Sequence, residues 1–129
     1  MKTPALVATE ASKDLWAAFI RTMAVPLAQR EAVAKLAISV LSALRGSICL
    51  YQGEELGLPE AELAFEDLTD PYGIRFWPAF KGRDGCRTPM VWAAGEPQAD
   101  FSTGKPWLPV PADHLPLSAG AQDGEEGSV

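Results

Sequence analysis

The sequence predicts an α/β fold in which a helix leads into a buried strand, and three observations support this prediction. Residues 30–44 carry apolar side chains at helical spacing, with Gly46 just beyond them. A short apolar run at 47–51 follows and is bounded by glycine turns, which is typical of a buried strand. Helix, glycine turn and strand together form the second half of a βαβ unit. Nine of the eleven prolines and ten of the eleven glycines lie after residue 50, so the remainder should be rich in loops.

Composition and charge exclude two classes of partner. The chain has 129 residues, about one domain in length, and a net charge of -6. No apolar stretch approaches the ~18 residues of a membrane-spanning helix. An acidic chain has the wrong sign for the phosphate backbone, so we expect neither a membrane nor nucleic acid as partner. Residues 1–50 hold six basic and three acidic side chains, whereas residues 51–129 hold five and fourteen.

The N-terminus and the cysteines favour a cytoplasmic location. Residues 1–4 do not begin a secretory signal with an apolar core and a cleavage site. Cys49 and Cys86 form at most one disulfide, and we expect reduced thiols. With His114 as the single histidine and no second cysteine nearby, no metal site and no cofactor are expected.

The first half of the chain is predicted to be helical. Residues 1–29 are a lead-in in which Ser12 can cap a helix that ends before Pro26. Residues 30–44 form the clearest helix, because alanines raise its helix propensity and one side is apolar. That apolar stripe consists of Val33, Leu36, Ala37, Val40, Leu41 and Leu44.

The loop after the predicted strand is the first candidate for function. In parallel α/β folds, sites are built where strands end, and Glu54 and Glu55 lie at that position. They are equally well explained as solvated loop charges, and the residues alone leave both interpretations open. Further on, 60–68 predicts a turn or two of helix and 70–73 a type I turn. A cluster of large apolar side chains at 74–80 must pack against other groups.

Residues 81–90 are the densest polar segment of the chain. Arg83 and Arg87 can bind hydroxyl or carboxylate groups from a loop that its glycines allow to bend. Alternatively Asp84 pairs with Arg83 or Arg87 and braces the loop, and we favour this brace. The acidic residues between 54 and 70 lack the spacing of a calcium loop, so a solvated face is the better interpretation. Residues 115–129 are small and acidic, and we expect a disordered tail.

Four segments together resemble a known family. They are YQGEELG at 51–57, DPYG at 70–73, GRDGCRTPM at 82–90 and FSTGKPW at 101–107. In this order and at these separations they resemble bacterial α-glucosidases and oligo-1,6-glucosidases of glycoside hydrolase family 13. The resemblance covers about 30–114, whereas 1–29 and 115–129 look unlike the family.

The resemblance implies a fragment of a TIM (β/α)8 barrel with an α-glucoside site. The helix at 30–44 would be the seventh barrel helix, 47–51 the eighth strand, and 52–107 the insertion and eighth-helix region that follows. Arg87 would border the sugar pocket and is the first candidate for a substrate contact. Weaker candidates are Arg83, Glu66 and Glu54.

The same resemblance shows which family residues lack a counterpart. Retaining glycosidases use two carboxyl groups about 5–5.5 Å apart. In this family they end the fourth and fifth barrel strands, and a further aspartate follows a histidine after the seventh strand. No segment here matches those motifs, and His114 is followed by leucine. We therefore expect a glucosidase fragment that is inactive alone, with an α-glucoside as the substrate of the parent enzyme. The alternative is a non-catalytic interaction protein that pairs with the missing barrel portion or binds sugar.

Overall fold

The computed structural model describes residues 27–48 and 50–129. The helix predicted from Ser12 and the rest of the lead-in lie outside this range. The helices are α1 (Leu27–Ala43), α2 (Pro71–Phe76) and α3 (Ala119–Gln122), with 3₁₀ helices at Phe65–Asp67, Asp84–Cys86, Pro97–Asp100 and Ala112–Leu117. Of the helices in these two ranges, none is both long and apolar enough to cross a membrane.

Helix α1 confirms the clearest sequence prediction, but its apolar stripe is only partly covered. Ala34 and Ala37 are buried on this helix. Leu36 on the helix is instead 64% exposed, and Leu44 just after it is 61% exposed. The described part of the chain therefore leaves much of the apolar side of α1 facing solvent.

The prediction of a strand at 47–51 was wrong for the residues that the structure describes. None of its described residues is in a strand, and Ile48 and Leu50 are 51% and 41% exposed. A strand needs a neighbouring strand to pair with its backbone N–H and C=O groups. The described residues contain no strand that could supply this pairing. Apolar patterning identified a segment suited to burial in a sheet, but pairing depends on strands elsewhere.

The core lies among the loops after residue 50. Its buried members are Leu56, Leu58, Met90, Val91 and Ala99. Partly buried apolar residues from 101 to 119 pack around them. The core thus joins residues 56–58 to a stretch of chain, 90–119, that is distant in sequence.

The 60–80 region is more helical than predicted. The type I turn expected at 70–73 is the first turn of α2, where the Asp70 side chain caps the helix by accepting the Tyr72 N–H at 3.0 Å. Pro71 fits the first helical position because its missing N–H needs no partner there. The helical turn expected at 60–68 is present as the short 3₁₀ helix Phe65–Asp67. The apolar cluster at 74–80 packs partly against Phe65, whose ring centroid lies 5.8 Å from that of Trp77.

Residues 115–129 also differ from the expected disordered tail. They contain α3 and are tied to the rest of the chain through Gln122. Its side-chain amide donates to the carbonyls of Leu56 at 3.0 Å and Leu117 at 2.9 Å. Its carbonyl oxygen accepts the Val129 N–H at 3.2 Å. One polar side chain satisfies three backbone groups, which composition does not reveal.

Candidate functional site

The two candidate arginines lie on one loop that is held by a buried carboxylate. Asp84 begins the 3₁₀ helix Asp84–Cys86 and is only 1% exposed. Its carboxylate accepts the N–H groups of Thr69 at 2.6 Å and Asp70 at 2.7 Å, and the Thr69 hydroxyl at 3.1 Å. These bonds satisfy a charge that would otherwise be costly to bury. They fix residues 81–90, here called the arginine loop, to the segment that enters α2.

A second carboxylate receives Arg83. Asp70 accepts the Arg83 backbone N–H at 3.0 Å, and its Oδ2 lies 3.5 Å from Arg83 Nε. Burial raises the pKa of Asp70, but hydrogen bonds from Tyr72 and Arg83 and the Arg83 charge outweigh it and hold the pKa below its ordinary value. Asp70 is therefore a carboxylate at neutral pH.

The structure corrects the prediction that Asp84 pairs with Arg83 or Arg87. Asp84 holds the backbone at Thr69 and Asp70, while Asp70 takes the Arg83 side chain. The reason is geometric, because the 3₁₀ helix turns Asp84 inward whereas the Arg83 side chain is about half exposed.

Arg87 is held from several directions. Its Nε donates to the Tyr51 hydroxyl at 3.2 Å. Its backbone N–H donates to the Asp84 carbonyl at 2.8 Å, and its own carbonyl accepts the indole N–H of Trp107 at 2.9 Å. The Tyr51 hydrogen bond raises the pKa of Arg87, burial lowers it, and the charges of Asp70 and Asp84 help to leave it raised. The result is a permanently charged, half-buried guanidinium.

The guanidinium can bind an oxygen-rich group. It has five N–H donors in a plane, and Nε uses one of them on Tyr51. The two Nη groups are the donors suited to hydroxyl or carboxylate oxygens.

All four family-like segments meet at this loop. The Tyr51 hydroxyl accepts the Arg87 Nε–H, and the Gln52 side-chain amide donates to the Thr88 carbonyl. Asp70 binds Arg83, and Trp107 binds Arg87. Segments that are separate in sequence therefore meet around the loop that holds Arg83 and Arg87.

The other two sequence candidates occupy different positions. Glu54 is buried, and its Oε2 accepts the Tyr51 N–H at 2.9 Å. It thus supports the residue that binds Arg87. Glu66 is exposed on the 3₁₀ helix Phe65–Asp67.

Sequence reasoning did not single out Tyr51, Asp70 or Trp107 as site residues. Each lies inside one of the four segments that resemble the family. That shared membership is the signal that could have identified them, since their contacts span 13 to 36 residues.

Other chemistry-bearing groups have structural surroundings. His114 is buried, with Nε2 2.8 Å from the Pro59 carbonyl oxygen. Cys86 is a buried thiol. Within 27–48 and 50–129, no group of three or more His, Cys, Asp or Glu side chains is placed to hold a metal ion.

Comparison with known proteins identifies the family. Residues 17–129 match the model of the α-amylase catalytic domain. The chain belongs to the α-amylase family. This confirms the resemblance seen in the sequence, and the match extends beyond 30–114 at both ends. The catalytic domain of the family is a TIM barrel, of which this α-amylase-family chain is a small part.

Individual relatives agree with this assignment. A probable α-glucosidase of Rhizobium meliloti (strain 1021) is 59% identical over 99 residues, which cover 77% of this chain and 18% of that protein. A probable oligo-1,6-glucosidase 3 of Bacillus subtilis (strain 168) is 34% identical over 113 residues, covering 74% of this chain and 20% of that protein. A crystal structure of the α-glucosyl transfer enzyme XgtA superposes with a TM-score of 0.66 at 58% identity, over 83% of this chain and 19% of that one. The chain spans about one fifth of the length of these relatives.

Proposed function

We propose that the chain is a C-terminal portion of the catalytic barrel of a retaining α-glucosidase that acts on the non-reducing end of α-glucosides. In this proposal α1 is the seventh barrel helix, 47–51 becomes the eighth strand when neighbouring strands are present, and 52–107 follows it beside the sugar site. The observation that carries the proposal is the convergence of the four family-like segments on the loop that holds Arg83 and Arg87.

Arg87 is the proposed substrate contact. Its charge is permanent and its side chain is held at Nε, so its Nη groups are presented to a sugar hydroxyl in a restricted geometry. Arg83 is a weaker candidate because Asp70 already engages it. Glu66 is exposed and can reach a sugar at the rim, while the buried Glu54 contributes by supporting Tyr51.

The proposed portion binds but does not cleave. Retention requires a nucleophilic carboxylate and an acid/base carboxyl group about 5–5.5 Å apart. The buried carboxylates Asp70 and Asp84 are each occupied by backbone N–H groups of the chain. A carboxylate whose pKa is held low, as at Asp70, is a poor proton donor at neutral pH.

The experiment is an assay with p-nitrophenyl α-glucoside together with a maltose titration of tryptophan fluorescence. We expect no p-nitrophenol release, and a fluorescence change on maltose addition that Arg87→Ala abolishes. Arg75→Ala, at an exposed position on α2, is the matched control and should leave the titration unchanged. Turnover that copurifies with the chain and disappears in Arg87→Ala would contradict the non-catalytic proposal. A flat wild-type titration would contradict the sugar contact.

A second candidate function is complementation of a partner that supplies the rest of the barrel. The exposed apolar side of α1, with Leu36 and Val40 and with Leu44 just beyond the helix, favours it because helices of a barrel pack on its strands. Mixing the chain with the part of the Rhizobium meliloti relative outside the matched region should then restore p-nitrophenol release. Equal activity of that part with and without the chain would reject complementation.

A further inference from the structure

We infer that Tyr51 is a positioning residue that sets the orientation of the Arg87 guanidinium. The inference rests on the proposed function, in which Arg87 contacts the sugar. It assigns a role to a residue that sequence reasoning placed at the end of a strand.

The hydroxyl of Tyr51 binds the atom that controls the guanidinium plane. Arg87 Nε donates to it at 3.2 Å. Because the Nε–H bond lies in the plane of the guanidinium, one bond at Nε restricts rotation of the whole group. The two Nη groups then have a restricted set of directions.

Tyr51 is itself held in place. Its backbone N–H donates to the buried Glu54 carboxylate at 2.9 Å, a charge-assisted bond that closes the turn after it. The Glu54 N–H donates back to the Tyr51 carbonyl at 3.0 Å. Because the Tyr51 backbone is fixed, its hydroxyl can orient the Arg87 guanidinium. A hydroxyl on a mobile loop would follow the guanidinium instead of orienting it.

The backbone of Arg87 is fixed independently of Tyr51. The Asp84 carbonyl and the Trp107 indole bind it at 2.8 Å and 2.9 Å, and the Gln52 side chain binds the next carbonyl, at Thr88. Loss of the Tyr51 hydroxyl should therefore release the Arg87 side chain without releasing the loop. This separates a positioning role from a structural one.

The test compares Tyr51→Phe with Tyr72→Phe, which removes the same hydroxyl from an exposed ring that stacks on Phe76. The readout is solvent exchange of the Arg87 Nε–H in ¹⁵N-resolved NMR spectra, with the signal assigned by its loss in Arg87→Lys. We expect Tyr51→Phe to speed this exchange roughly tenfold, while backbone amide shifts at the loop and the Tyr72→Phe spectrum stay as in the wild type.

Maltose titrations of the same variants test the link to sugar binding. We expect Tyr51→Phe to weaken binding roughly tenfold and Tyr72→Phe to leave it unchanged. Wild-type exchange rates in Tyr51→Phe would overturn the positioning role even if maltose binds. Fast exchange in Tyr51→Phe with no maltose binding by the wild type would support the orientation of Arg87 and refute the proposed sugar contact.

Discussion

Asp70 and Asp84, fourteen residues apart, have different roles in holding the arginine loop. Asp84 accepts the backbone N–H groups of Thr69 and Asp70 and the Thr69 hydroxyl, so it joins two segments. Asp70 caps α2 and also receives Arg83, so it couples a helix start to an arginine. Removing either acceptor leaves buried N–H groups without a partner, which is more costly than the bond itself is favourable.

The pH dependence of stability should carry the signature of Asp70. Its pKa in the folded chain lies below the ordinary value of 3.8. The carboxylate therefore stabilises the folded state fully above that value, and the contribution is lost as the pH falls through the lower, folded-state pKa. Asp70→Asn should thus lower the urea midpoint most near neutral pH, and the gap to the wild type should narrow as the pH falls below 3.8.

The exposed Asp113 provides the control for this experiment. Asp113→Asn removes the same charge from a residue that caps no helix through its side chain. A gap between Asp70→Asn and the wild type that stays constant from neutral to acid pH would contradict the role assigned to Asp70.

Sequence reasoning located Arg83, Asp84 and Arg87 in one polar loop and favoured a brace. It could not identify Thr69 and Asp70 as the partners of Asp84, because nothing in the spacing fixes which distant backbone enters the loop. Nor could it connect Arg87 to Tyr51, which is 36 residues away. The resemblance brought these segments together as a family pattern, whereas the contacts required the fold.

At the scale of elements, the sequence predicted the helix, which local interactions stabilise, but not whether the strand would find a partner. Helix α1 was predicted because helical hydrogen bonds and alanine propensity are local to its own residues. The strand at 47–51 was wrong for the described chain, because a strand is stabilised by partners that its own sequence does not contain. The turn at 70–73 was extended into α2 by the Asp70 cap.

Helix α2 depends on a glycine at its contact with the arginine loop. A Cβ at Gly73 would lie 2.6 Å from the Lys81 carbonyl oxygen, which belongs to the backbone and cannot simply rotate away. Alanine gains up to about 1 kcal/mol in helix propensity, but the overpacking it causes costs about 1–3 kcal/mol. Gly73→Ala should therefore lower the free energy of unfolding, seen as a lower urea midpoint in tryptophan fluorescence.

Gly95 offers a matched control for Gly73. A Cβ there has nothing within 4 Å, so Gly95→Ala should leave the midpoint unchanged or raise it by reducing the entropy of the unfolded chain. Equal midpoints for Gly73→Ala and Gly95→Ala would show that the contact of α2 with Lys81 does not constrain the fold.

For the whole molecule, part of the exposed apolar surface lies on α1, outside the half of the chain that carries the core. The buried cluster belongs to residues after 50, whereas α1 contributes mainly Ala34 and Ala37 to the interior. Leu36 and Val40 remain exposed on α1, as does Leu44 just after it. A contiguous apolar surface of this kind marks an interaction site or promotes association. In the proposed barrel this side of α1 covers strands, as barrel helices do.

This surface predicts concentration-dependent self-association of the isolated chain. Leu36→Lys together with Leu44→Lys should shift the protein toward monomer in sedimentation velocity runs, because two charges on the apolar side oppose its burial against another copy. The exposed Ser42 lies on the same helix, six residues from Leu36, and supplies a control with one added charge. Leu36→Lys alone should already weaken the association, whereas Ser42→Lys should leave it as in the wild type. If these two single variants dissociate equally, net charge rather than the apolar side of α1 governs association. If neither changes the distribution, α1 is not the contact surface.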